Sequence, residues 1–120
     1  MTLLRSTIGL TTIAVAALLA QSPNETLAKE TALKNSLFTL RIAIDEYTFD
    51  QQKAPRRLGD LIAKEYLGSI PADPMTGSNS TWRIVTEDPA KSADRSDPGI
   101  FDVRSGSEGV SLDGMRYADW

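Results

Sequence analysis

The hydrophobic pattern is most regular over Thr31–Asp50, TALKNSLFTLRIAIDEYTFD. At about 100° per residue, Leu33, Leu37, Leu40, Ile44 and Tyr47 fall in one narrow stripe. Phe38, Ile42 and Phe49 gather on nearly the opposite side. The spacing predicts one amphipathic helix over about 24–50, with Asn24 as N-cap and Glu25 in the first turn. One small domain can cover one apolar stripe. The other asks for a bilayer, a partner or a second copy of the chain, and the pattern does not say which stripe packs inward.

Ahead of this helix, residues 1–23 form a separate apolar segment. Its core is the 13-residue run Ile8–Ala20, short of the roughly 20 residues of a free-standing membrane helix. It reads as a signal-peptide core or as the outer half of a longer membrane helix, and both place the chain in the cell envelope or outside it. Residues 24–120 then form a single domain.

After the long helix, Ala54-Pro55 stops the pattern. Leu58, Leu61, Ile62 and Tyr66 predict a second helix of two to three turns, with Gly68 as its left-handed end. Trp82–Thr86 alternates as a strand with Trp82 and Ile84 on one face. Gly99–Arg104 predicts another, with Phe101 opposite Ile100 and on the side of Val103. A third short strand is expected around Met115–Tyr117. The expected fold class is α+β: a long N-terminal helix packed on a small antiparallel sheet, with a short second helix.

Composition narrows the chemistry. The chain has neither Cys nor His, which removes disulfides, thiol nucleophiles, imidazole bases, Cys/His zinc sites and a lipid-acylated cysteine. Residues 1–60 hold seven Lys/Arg against six Asp/Glu, and residues 61–120 six against ten. No basic face for nucleic acid is expected. Alternating charges on the helix (Lys29, Glu30, Lys34, Arg41, Asp45, Glu46) read as a solvated face with an Arg41–Asp45 pair. The carboxylate pairs Asp94/Asp97 and Asp45/Glu46 lack a supporting base or nucleophile, and no enzyme is expected.

Several landmarks occur in a set order. The helix segment Ala32–Tyr47 is followed by Lys53-Ala54-Pro55, Leu58-Gly59-Asp60-Leu61, Ile70-Pro71-Ala72-Asp73-Pro74-Met75-Thr76-Gly77, Asp102-Val103-Arg104-Ser105-Gly106-Ser107 and Asp119-Trp120. Over roughly residues 27–120 this order resembles the type IV pilin-like proteins, and most of all the major pseudopilins of type II secretion systems. The resemblance implies a filament subunit anchored in the inner membrane with its globular domain in the periplasm. Its partners would be copies of itself, other pseudopilins and the inner-membrane secretion machinery. Leu33, Leu37, Phe38, Leu40, Ile42, Ile44 and Tyr47 would belong to the assembly helix. The family's processing motif, Gly followed by Phe-Thr-Leu-x-Glu, does not occur here; Gly9 precedes Leu10-Thr11-Thr12. An exported binding or adaptor domain that keeps the fold without polymerising is therefore the alternative. Arg57 stands where relatives often carry a capping Ser, so a weak start is expected for the short helix.

The resemblance also implies calcium in the C-terminal loop, with Glu108, Asp113 and Asp119 as its carboxylate ligands. The competing reading is a solvated Glu108 and an ordinary turn at Asp113-Gly114.

Overall fold

The computed structural model describes residues 22–120; the expected apolar segment, apart from its last two residues, lies outside them. Helix α1 spans Pro23–Gln51, 29 residues or about 43 Å. Its start is one turn-setting unit. Ser22 is the N-cap in place of the expected Asn24, accepting the Glu25 N–H at 3.2 Å, and Pro23 follows at a position that needs no donor. The helix ends where Gln52 turns left-handed at φ 57°, its side chain donating to the Phe49 carbonyl. Among the described residues no helix is long and apolar enough to cross a membrane.

Helix α2, Gly59–Ala63, is shorter than predicted. No side chain at Leu58 caps it, but Asp60 reaches back to accept the Arg56 and Arg57 N–H groups at 3.0 and 3.2 Å. Asp60 thus supplies only the reciprocal half of a capping box, accepting from the main chain that precedes the helix. At the other end Glu65, not Gly68, takes the left-handed conformation at φ 64°. The Tyr66 N–H bonds the Leu61 carbonyl and the Glu65 N–H bonds that of Ile62, the bond pair of a Schellman end.

Strands β1 (Arg83–Thr86) and β2 (Ile100–Arg104) form one antiparallel ladder. Arg83 pairs with Arg104, Ile84 with Val103 and Val85 with Asp102, but Thr86 pairs with Ile100. Phe101 is thus an extra residue, and the resulting bulge shifts Ile100 onto the side of Val103. Ile100 and Val103 are both buried, whereas Phe101 is 69% exposed, which corrects the simple alternation. The third strand is reduced to a single bridge between Val110 and Arg116, after which residues 117–119 form a 3-10 turn.

The core lies between α1 and β2. Leu33, Leu37, Leu40, Ala43, Ile44 and Tyr47 supply the helix side, and Leu61, Trp82, Ile100, Val103 and Tyr117 close it. At about 25 cal/mol per Å² of apolar surface removed from water, each large aliphatic in this cluster contributes about 2 kcal/mol. Trp82 buries its ring and donates its indole N–H to the Pro71 carbonyl at 2.8 Å.

Polar groups stitch the chain to α1 at two levels. Glu30 is buried and accepts the Leu112 N–H and the Tyr117 hydroxyl, both at 2.8 Å. Further along, Arg41 donates to Asp102 Oδ1 at 2.8 Å, the Val103 carbonyl at 3.1 Å and the Trp120 main-chain oxygen at 2.7 Å. The expected Arg41–Asp45 helix pair is therefore replaced by a tertiary one, and Glu30 and Arg41 leave the solvated face. Elsewhere Asp73, fully buried, accepts from Ser105 Oγ, the Gly106 N–H and the Met75 N–H at 2.7–2.9 Å.

Candidate functional site

The two stripes of α1 have different fates. Leu33, Leu37, Leu40, Ile44 and Tyr47 lie in the interior of their own domain, so these five of the expected assembly residues serve the fold. Phe38, Ile42 and Phe49 remain at the surface, 67%, 41% and 77% exposed, and Leu27 joins them at 55%. Together these four occupy an arc of about 60° on the side away from the core. Leu27, Phe38 and Phe49 are spaced by eleven residues, just over three helical turns, so they form a straight row. That spacing is the signal by which Leu27 could have been grouped with Phe38 from the sequence.

The row is bordered by clefts. On one side of Phe38, a cleft of about 620 Å³ is lined by Lys34, Arg41, Asp113, Met115, Asp119 and Trp120. Trp120 is held edge-on by Tyr117, with ring centroids 5.2 Å apart, and the Lys34 ammonium stands 4.9 Å from the Trp120 ring centre. On the other side, Phe38 and Ile42 border a smaller cleft with Tyr66 and Leu67. At the C-terminal end of α1, Phe49 and the bulged Phe101 share a third cleft. The face is a ridge of large apolar side chains between hollows, a shape suited to packing against another helix.

The charges bordering it are Lys34 and Arg41 on one side, Asp45 beside Phe49, and Glu46 in the cleft with Tyr66. Lys34 and Asp45 flank Phe38 and Phe49 respectively, and both are exposed. Arg41, the other cation nearby, is engaged by Asp102.

The expected calcium ligands are not drawn together. Asp113 and Asp119 both border the Trp120 cleft, while Glu108 does not. Among the described residues no three carboxylates converge within reach of one ion. The discounted carboxylate pairs are likewise explained locally. Arg56 lies 3.5 Å from Asp94 and 3.2 Å from Asp97, and hydrogen bonds from Ser96, with Arg56 nearby, hold the Asp94 carboxyl below its ordinary range. Asp45 and Glu46 are exposed on α1.

Comparison with protein families, with characterised proteins and with solved structures finds no match to this chain.

Proposed function

We propose that the chain is a structural subunit of a type II secretion pseudopilus or a related type IV pilus-like filament, acting by assembly and not by catalysis. In this reading residues 1–23 hold the subunit in the inner membrane, and the domain stands in the periplasm beside copies of itself and other pseudopilins. The observation that carries it is the exposed row Leu27, Phe38, Ile42 and Phe49 on a helix whose opposite face is already satisfied by its own core. Four large apolar side chains left exposed on one side of one helix mark that side as a candidate interaction surface. The order of landmarks along residues 27–120 supplies the kind of assembly.

The test uses the full-length chain carrying Phe38→Lys or Ile42→Lys. Both side chains are outside the core, so the domain should fold with unchanged stability while the assembled, membrane-associated pool is lost. Assembly at the wild-type level in both variants would sink this reading. A second reading, an exported binding or adaptor domain, draws on the apolar cleft beside Phe38 and Trp120. Fractionation separates the two: a wholly soluble mature chain beginning near Gln21 favours the adaptor.

A further inference from the structure

We propose that the end of the domain where α1 begins rests on a bilayer surface, with Val110 and Leu112 of the C-terminal hairpin and Leu27 of α1 seated in the lipid headgroup layer. This contact rests on the reading that residues 1–23 hold the chain in a membrane, and it adds lipid as a partner of the folded domain itself.

Residues 110–116 form a short hairpin. Val110 bridges to Arg116, the Ser111 N–H donates to the Met115 carbonyl, and Gly114 makes the turn at φ 86°. Its apolar side chains stay out of the core: Val110 is 56% exposed, Leu112 54% and Met115 54%. Three large apolar groups turned outward from one hairpin form a surface that asks for a cover.

Two contacts fix the height of the hairpin along α1. The Leu112 N–H donates to Glu30 Oε1 at 2.8 Å. Helical side chains lean toward the helix N-terminus, so Leu112 lies level with Glu30 or nearer the helix start. Val110 shares a cleft with Glu25, Thr26 and Lys29, in the first two turns. Leu27, also exposed, belongs to the same two turns. Met115 borders the Trp120 cleft with Lys34 and Phe38, further from the start of the helix.

These heights match a bilayer. The sequence holds no charge between Arg5 and Glu25, so the hydrocarbon that takes up residues 1–23 can extend to the first turn of α1, and the headgroups begin by Glu25. From Glu25 to Glu30 the helix rises about 7.5 Å, close to the depth of a headgroup layer, about 5–7 Å. With α1 standing off the membrane, Leu27, Val110 and Leu112 fall in that layer, where apolar side chains gain by leaving water. The charges at this end are mixed, Lys29 and Arg116 against Glu25, Glu108 and Asp113. The attraction is therefore apolar, and neutral lipid suffices for it.

The absence of cysteine from the chain allows single labels. Full-length Leu112→Cys, Phe49→Cys and Ile13→Cys, each carrying an environment-sensitive fluorophore, are reconstituted at low density in phosphatidylcholine vesicles. Nitroxide lipids serve as quenchers, labelled on the headgroup for 112 and 49 and on the acyl chain for 13. The expected result is strong quenching at 112 and none at 49, which lies about 36 Å along α1 from Glu25. Leu27→Lys combined with Val110→Lys should return the 112 label to the level of 49. Both native side chains are more than half exposed, so the fold is retained, and an unchanged urea midpoint checks this. If 13 is quenched but 112 no more than 49, the contact is overturned and the membrane anchor stands. Equal, strong quenching at 112 and 49 lays α1 flat on the bilayer and also overturns the contact. So does quenching at 112 that the double lysine variant leaves unchanged. A blue shift at 112 without lipid quenching marks a protein cover in place of lipid. If 13 escapes quenching, the membrane reading and the contact fall together.

Discussion

The Tyr117 hydroxyl donates to Glu30 at 2.8 Å, joining residues 87 positions apart in the chain. Glu30 also receives the Leu112 N–H, so one buried carboxylate ties the C-terminal loop to the first half of α1. Burial of the phenol, with the Glu30 hydrogen bond and charge acting the same way, pushes the Tyr117 pKa up to about 12 from 10.0.

The first prediction follows from the direction of that shift. The fold favours the neutral phenol, so the stabilisation is complete below about pH 10 and declines as pH rises from about 10 to 12. Tyr117→Phe removes a hydrogen bond to a charged acceptor and should cost about 2 kcal/mol at neutral pH. Urea titrations from neutral to alkaline pH should show the difference between wild type and variant shrinking above pH 10. A constant difference across that range would contradict the assignment.

Arg41 joins α1 to both β2 and Trp120, and its guanidinium makes three hydrogen bonds at 2.7–3.1 Å. A lysine cannot span this planar arrangement. Arg41→Lys should therefore lose most of what Arg41→Ala loses, about 2 kcal/mol, in chemical denaturation. The near-ultraviolet signal of Trp120 should weaken in both variants, because the residue's main chain is held by Arg41 and Arg104.

Asp73 accepts three hydrogen bonds with no exposed surface, holding the turn at residues 73–78 against the end of β2. Asp73→Ala should cost about 3 kcal/mol by leaving buried donors unpaired. Asp73→Asn should cost nearly as much. Met75 N–H and Gly106 N–H engage different carboxylate oxygens, so the new amide must point a donor at one of them. Thermal unfolding of both variants checks this, and a near-wild-type Asn variant would be the contrary result.

The parts visible from sequence were those with local causes. Leu33, Leu37, Leu40, Ile44 and Tyr47 repeat at the helical period, so the buried stripe and the long helix could be read directly. The outward stripe containing Phe38 and Ile42 was visible too, but which stripe packed inward depended on β2, whose contact with α1 is long-range. Glu30 and Arg41 looked solvated because their partners are 61–87 residues away. Phe101 defeated the alternation because one bulged residue inverts every facing beyond it. Asn24 and Ser22 are equally good caps by type; Pro23, which suits the first helical turn and not the cap, was the deciding clue.

Among the described residues, two that are not glycine adopt left-handed backbone. Gln52 ends α1 at φ 57° and Glu65 ends α2 at φ 64°. An L-residue with a Cβ meets a cost of about 1 kcal/mol in that region, which glycine avoids. Glu65 is exposed, and its Schellman hydrogen bonds use only the main chain, so Glu65→Gly retains them. It should raise stability by up to about 1 kcal/mol, offset in part by the extra freedom of glycine in the unfolded chain. Gln52→Gly should gain less, because the Gln52 side chain donates to the Phe49 carbonyl at 2.6 Å and that bond is lost. The ordering, Glu65→Gly above Gln52→Gly in melting temperature, is the quantity to measure. Neither change touches Phe38 or Ile42, so a stabilised Glu65→Gly background also provides a host in which Phe38→Lys and Ile42→Lys can be compared.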